Sequence, residues 1–255
     1  MMLAPAAWSV RPLAEVAAPV PFGPGELLTY EVRLGIFTVG ESSMQVPDIE
    51  PTRGVPTYRI EWRIEGGIPF YQVDTTFKSW VDVEKLVSLR FIQDQHEGRH
   101  TRYRDYRFFP EQRRWKRADN GEEGVLATPL PLDDLSFVYF ARSLDLEVGK
   151  SYRFERYFKD SGNPVVINVL RRDERSVPAG TFRTLVLQPI IRTKGMFSEG
   201  GHAELHFSDD ARRILVYMKT EMPGISLTLH LKSIRQGTPV RAFAARAEIR
   251  SGPHD

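Results

Sequence analysis

The sequence predicts an all-β fold, a single strongly curved antiparallel sheet or incomplete β-barrel of about a dozen strands, with one short buried helix at about 133–143. Three observations lead there. Tyr58, Ile60, Trp62 and Ile64 alternate with Arg59, Glu61, Arg63 and Glu65, which is how an antiparallel strand with one wet face is written. Similar alternating runs recur along the chain between clusters of Gly, Pro, Asn and Asp, the residues that make turns. Against these stands one strongly helical stretch, LPLDDLSFVYFARSLDLEVG at Leu130–Gly149.

Residues 1–21 are Ala/Pro-rich and lack a basic n-region followed by an apolar core, so they read as disordered or as the remnant of a leader whose start lies upstream. From Phe22 the character changes. FGPGELLTYEVRLG opens on a Pro/Gly turn and places Leu28, Tyr30, Val32 and Leu34 on one side of a strand that Gly35 ends. A second strand runs from Thr38 to Val46, and the segment PDIEPTRGVP after it is dense in turn residues and reads as a loop. The alternating strand around Trp62 comes next, with Gly66 and Gly67 as its expected turn. Tyr71 to Val83 repeats the two-residue period, turning Tyr71, Val73, Phe77, Val81 and Val83 inward, and is long enough to carry a bulge. Leu86–Gln95, Thr101–Phe109 and Arg113–Arg117 follow as strands, paired most economically as a meander.

The helix starts where Pro129 and Pro131 give way to Asp133 and Asp134, either of which can cap it. Leu132, Leu135, Val138 and Tyr139 fall on one face, and Phe137, Phe140, Ala141 and Leu144 cover much of the rest. A helix apolar all round has to be buried. Each of its large side chains would contribute ~1.5–3 kcal/mol on full burial, so the segment is a core element or a plug in the mouth of the sheet. After it, Ser151–Lys159, Val165–Arg172, Phe182–Thr193, Ala203–Ser208, Ile214–Met222 and Ile225–Ile234 complete the strands. Val165–Leu170 and Leu185–Ile191 are apolar on both faces, which requires cover on both sides. The alternation ends near Gln236, so one domain spans 22–236 and a tail spans 237–255.

Composition removes several classes of function. Thirty-five basic against thirty-three acidic residues leave a net charge of +2, too small a field to imply a nucleic-acid partner. The chain has no cysteine, which excludes disulfides, thiolate metal sites and a Cys nucleophile. No apolar run reaches the length of a membrane span. G-x-S-x-G, P-loop and dinucleotide fingerprints are missing, and no catalytic residues or cofactor are assigned.

The candidate binding residues fall into three groups. Leu135, Val138, Tyr139 and Phe140 on the helix, with Trp62 and Phe77 across the sheet, would line an apolar pocket if the concave face is hollow. Arg102, Arg104, Arg107, Arg114 and Trp115 lie in RHTRYRDYRFFPEQRRWKR at Arg99–Arg117, where cations interleave with aromatics in a way that suits anionic headgroups or an anionic partner. Two strands with basic outer faces explain the same composition without a ligand. His202, Glu204 and His206 share one strand face and form a weak zinc candidate, set against the ordinary polar face of a hairpin, so no metal is assigned. His96 and His100, in HEGRH, read as turn residues, and the pairs Asp133/Asp134 and Asp209/Asp210 read as cap and turn.

Four ordered segments carry a family resemblance: GPGELLTYEVRLGIFTVGES at Gly23–Ser42, PLDDLSFVYFARSLDLEVG at Pro131–Gly149, VPAGTFRTLVLQP at Val177–Pro189 and FSDDARRILVYMKTEMPGISLTLHL at Phe207–Leu231. In these the chain resembles the bacterial exported-protein family known as domain of unknown function 3108. The resemblance implies an exported protein, periplasmic or associated with the outer membrane, built on a curved antiparallel sheet. A weaker likeness, in architecture alone, is to the periplasmic lipoprotein-carrier fold, whose incomplete barrel holds acyl chains. Three readings result: a non-enzymatic envelope protein binding an apolar or amphipathic ligand such as a lipid, a structural or partner-binding module of the envelope with a packed core, and an enzyme with a dispersed, motif-less site.

Overall fold

The computed structural model describes residues 20–191, 202–222 and 225–240; the expected leader, and the expected tail beyond residue 240, lie outside them. Among the described residues the chain forms β1 (Glu26–Leu34), β2 (Phe37–Val46), β3 (Ile49–Thr52), β4 (Val55–Ile68), β5 (Tyr71–Asp82), β6 (Ser88–Glu97), β7 (His100–Phe109), β8 (Arg114–Arg117) and β9 (Glu123–Val125). The helix α1 (Asp134–Arg142) follows, and then β10 (Ser151–Phe154), β11 (Val165–Val177), β12 (Gly180–Ile190), β13 (His202–Ser208), β14 (Leu215–Met222) and β15 (Ile225–Arg235).

All the strands join one antiparallel sheet in the order β10-β11-β12-β13-β14-β15-β1-β2-β4-β5-β6-β7-β8-β9, with β3 beside β4. Two meanders are therefore fused where β15 pairs with β1, placing Leu28 opposite Ile234 and Leu34 opposite Leu227. The chain runs outward from the middle of the sheet to one edge, β9, and resumes at the other edge, β10. The link between the edges is the segment that contains α1, which is why the helix crosses the concave side.

The sheet is not closed into a barrel. Its edges are tied through flanking segments: Leu132 N–H donates to the Arg156 carbonyl at 2.6 Å, Phe158 N–H to the Leu132 carbonyl at 3.1 Å and Ala127 N–H to the Phe158 carbonyl at 3.2 Å. Inward residues of both meanders, from Leu28 and Tyr58 through Phe91 to Leu187 and Leu205, pack with the helix into one core.

The expected elements are present, with four adjustments. The loop expected at Pro47–Pro56 contains β3, which pairs with the start of β4, and the three-residue β9 extends the first meander beyond β8. The strand expected from Ser151 to Lys159 stops at Phe154, because Arg156 turns inward and donates to the carbonyls of Leu130 at 3.0 Å and Leu86 at 2.6 Å. Finally, Gly66 and Gly67 do not make a turn; both sit inside β4, and the chain reverses at Pro69 and Phe70. A Cβ on Gly66 would lie 2.3 Å from the Val39 carbonyl oxygen and one on Gly40 2.1 Å from that of Glu65. Both positions must be glycine for β2 and β4 to approach so closely.

Of the two stretches expected to be covered on both faces, Leu185–Ile191 is, with Leu185, Val186 and Leu187 all buried, whereas in Val165–Leu170 one face stays open, Val166 half-buried and Leu170 39% exposed. The Val177–Gly180 turn of the β11–β12 hairpin reaches β15, where Ala179 N–H donates to the Leu231 carbonyl at 3.0 Å. Arg175 of the same hairpin lies over the Tyr217 ring at 4.4 Å.

Candidate functional site

The concave face has two unlike ends, and the helix divides them. At the helix end everything is packed. Asp133 caps α1, its Oδ1 accepting from the backbone N–H of Leu135 at 2.9 Å and Ser136 at 2.8 Å, while the Ser136 hydroxyl accepts from Asp133 N–H at 2.8 Å. The second Asp133 oxygen accepts from the Ser79 hydroxyl at 2.6 Å, and the Ser88 and Ser136 hydroxyls meet at 2.7 Å. Two strand serines, Ser136 of the helix and the Asp133 cap therefore form one buried polar knot between β5, β6 and α1. Burial drives the Asp133 carboxyl above its ordinary range despite the donors that favour its charged form.

The other end of α1 carries Arg142, fully enclosed. Its guanidinium donates to both carboxylate oxygens of Glu26 at 2.6 and 2.8 Å and to the backbone carbonyls of Arg213 at 3.0 Å and Arg212 at 3.3 Å. It also lies over the rings of Phe22 and Tyr139. This bidentate pair fastens the helix to β1 and to the loop before β14. Burial raises the Tyr139 and Tyr30 hydroxyls far above their usual range, so both stay neutral.

Leu135, Val138, Tyr139 and Phe140 are no more than 5% exposed, and Trp62 and Phe77 are buried at 3% and 9%. The six residues do come together in one core, but they fill it. Phe140 meets Phe154 edge-on at 5.2 Å, Tyr139 meets Phe22 at 4.9 Å, Trp62 lies tilted against Phe77 at 5.8 Å, and Phe77 stacks on Phe91 at 6.3 Å. None of them lines the open groove of about 380 Å³ that lies between Arg53, Val87, Phe109 and Leu130.

Beyond the helix the concave face of β4 to β7 goes from buried at Trp62, Phe77 and Thr75 to exposed at Arg102, and changes character across the strands. Register aligns Trp62, Phe77, Gln93 and Arg104 in one row, and Ile64, Thr75, Gln95 and Arg102 in the next. Each row runs from apolar on β4 to cationic on β7. Ile64, Gln93, Gln95 and Arg104 are half-buried and Arg102 is exposed. Where the first row meets α1, Asp134 accepts from the Tyr157 hydroxyl at 3.1 Å and the Gln93 amide at 3.4 Å. Burial, with the neighbouring Asp133 charge, raises Asp134 to about 6, against the pull of Lys159 and Arg104.

Alternation thus divides the basic stretch between two faces. Arg102 and Arg104 line the concave wall, whereas Arg107 is exposed on the other face of β7. Arg114 pairs with Glu123 at 3.5 Å and lies over Phe109. Trp115 is 7% exposed, packed edge-on against Tyr106 and Phe158 in the core.

For the zinc candidate, the side chain of His202 lies outside the described residues. His206 is wholly buried, its Nε2 3.4 Å from a Glu204 oxygen and its ring edge-on to Tyr217, which in turn meets His230. Burial, with Arg175 beside it, lowers His206 to about 4, and burial with Arg33 does the same to His230. Among the described residues no three His, Asp or Glu side chains converge on a metal position.

Fold and wall together define a class, an open, barrel-like antiparallel sheet wrapped on a buried crossover helix. The chain belongs to the family described as protein of unknown function (DUF3108), whose model matches residues 29–232. No curated protein matches it. Among solved structures it is similar to a beta-barrel-like protein of domain of unknown function DUF1849 from Brucella abortus, with TM-score 0.54, 11% identity, and coverage of 85% of this chain and 99% of that one. It aligns more loosely with a candidate lipoprotein from Parabacteroides distasonis, with TM-score 0.33, 11% identity, and coverage of 85% and 99%. A candidate exported protein with a YmcC-like fold from Bacteroides fragilis aligns with TM-score 0.31, 10% identity, and coverage of 86% and 100%. No helix among the described residues is long and apolar enough to cross a membrane.

Proposed function

We propose that this is a non-enzymatic protein of the bacterial envelope that binds an amphipathic, lipid-like ligand on the open part of its concave face. The envelope placement follows the exported character that the family resemblance implies. One observation carries the ligand reading: the two rows that grade from Trp62 and Ile64 to Arg104 and Arg102. An acyl chain would lie against Ile64, the half-buried apolar side chain of the rows, and an anionic headgroup would face the two arginines. Arg102 has no carboxylate within 4.0 Å among the described residues, so its charge is open to a ligand.

Native mass spectrometry of the protein purified from a bacterial envelope tests the reading. Lipid adducts are expected on the wild type and lost from Arg102→Ala/Arg104→Ala; a wild type that carries none overturns it. The filled helix end favours one other reading, a packed scaffold that holds an envelope protein. In-cell crosslinking that captures one dominant protein, on a chain free of lipid, would decide for that reading.

A further inference from the structure

Two neighbouring hairpin tips at the open end of the sheet carry the largest apolar exposure among the described residues. In the β1–β2 tip Ile36 is 88% and Phe37 70% exposed. In the β4–β5 tip Phe70 is fully exposed, and Ile68 and Tyr71 are nearly half exposed. Soluble surfaces scatter such side chains singly; five on adjoining tips mark an interaction site. The tips are neighbours because β2 and β4 pair up to Gly40 and Gly66, where the two backbones touch. Phe70 holds φ at 72°, a conformation costly for a bulky residue, and the turn that imposes it points the ring into solvent.

The charge pattern is as selective. Neither Leu34–Gly40 nor Gly66–Val73 contains a charged residue, fifteen positions in a chain that is 27% charged. The acids that border them are matched: Glu41 with Lys232 at 2.6 Å, and Glu65 and Asp74 with Arg63 at 2.7 and 3.6 Å. The adjoining β6–β7 turn adds one acid, Glu97, whose carboxylate accepts from the Thr75 hydroxyl and the Gln95 amide, and exposed arginines beyond it. Gly98 N–H donates to the Gln72 carbonyl at 2.7 Å and the glycine lies under the Tyr71 ring, which sets exposed Arg99 beside the apolar tip, with exposed Arg102 three residues further along β7.

We infer that these tips dock the protein on an anionic lipid bilayer, with Ile36, Phe37, Ile68, Phe70 and Tyr71 entering the interface and Arg99 and Arg102 meeting headgroup phosphates. Protruding single side chains fit a fluid surface that closes around each of them, and an uncharged tip beside unmatched arginines has the electrostatics of an interfacial anchor. Docked this way, the mouth of the amphipathic wall faces the membrane. The inference deepens the ligand reading by naming the surface that exchanges the ligand, but the docking itself stands or falls alone.

The test is co-sedimentation of the full chain with vesicles of phosphatidylethanolamine plus phosphatidylglycerol, and with vesicles of phosphatidylcholine alone. Wild type is expected to pellet with the anionic vesicles, and Phe37→Ser/Phe70→Ser to lower partition about tenfold or more, since each ring contributes its burial. Both altered residues are exposed, so circular dichroism and Tm should match wild type. Arg99→Gln/Arg102→Gln is expected to weaken binding to the anionic vesicles only, and Val125→Ser, 76% exposed on the edge strand β9, to change nothing. A wild type that stays in the supernatant, or a folded Phe37→Ser/Phe70→Ser variant that pellets like wild type, overturns the inference. A wild-type dimer that this variant dissolves, without vesicle binding, overturns it in favour of a second copy. Vesicle binding by a protein without lipid adducts keeps the docking and removes the ligand; adducts without vesicle binding do the reverse.

Discussion

The two ends of the concave face are built from the same strands and follow opposite rules. At the helix end the buried charged groups have been given partners inside the protein: Asp133 with three serines and two backbone amides, Arg142 with Glu26 and two carbonyls. At the open end Arg102 lacks an ion-pair partner among the described residues and aromatic side chains point into solvent. A domain can leave one region unfinished only because another is over-determined. The difference separates what holds this fold from what is available for contact with something else.

The sharpest way to break that comparison is to place the same charge at both ends. Phe140→Asp puts a carboxylate in the core against Phe154 and is expected to yield no folded protein, because an unpaired buried charge costs more than the ~5–15 kcal/mol that a domain has in hand can readily absorb. Phe70→Asp, fully exposed, should shift stability by no more than about 0.5 kcal/mol. Equal losses in denaturant titrations would erase the distinction between the two ends.

Next in size is Glu26→Ala, which leaves the Arg142 guanidinium buried without its carboxylate and should cost about 3–5 kcal/mol. Replacing both, as Glu26→Leu/Arg142→Met, is expected to recover most of that loss in the same titration. If the single variant unfolds at the wild-type urea midpoint, the pair does not fasten the helix.

The smallest effect lies on the border between the ends, at Asp134. Its folded pKa is raised to about 6, so the folded protein keeps a proton that the unfolded chain releases at lower pH. The stability this contributes is complete below about pH 4 and is lost as pH rises through 6. Asp134→Asn should therefore raise Tm at pH 7 by about 2–4 °C and flatten the slope between pH 4 and 6. His206 and His230, lowered to about 4, act in the opposite sense, losing stability as pH falls from about 6.5. The reading to take is thus the difference between variant and wild type, not either curve alone.

The filled end was more legible in the sequence than the open one. Leu135, Val138 and Phe140 announce burial by spacing alone, and the Pro/Asp signal locates the cap. Arg142 announces nothing, since an arginine in the last turn of a helix is ordinary; its partner Glu26 lies 116 residues away, beyond any local pattern. The meanders could be read from period and turns, but the fusion of β1 to β15 could not, because neither strand encodes its neighbour. In the basic stretch a local signal was available. Two-residue alternation already places Arg102 and Arg104 on the face of Tyr106 and Phe108 and turns Arg107 away, and Trp115 follows from its pairing with Phe108. Five apolar side chains in two tips look like strand ends in the sequence, and only the adjacency of β2 and β4 makes them one surface.

The pairing of β1 with β15 has a consequence in time. A strand completed early in synthesis keeps one side unsatisfied until residues some two hundred positions later arrive to cover it. Closing a loop of that length is slow, so β1 stays half-paired until β15 has been made and has found it.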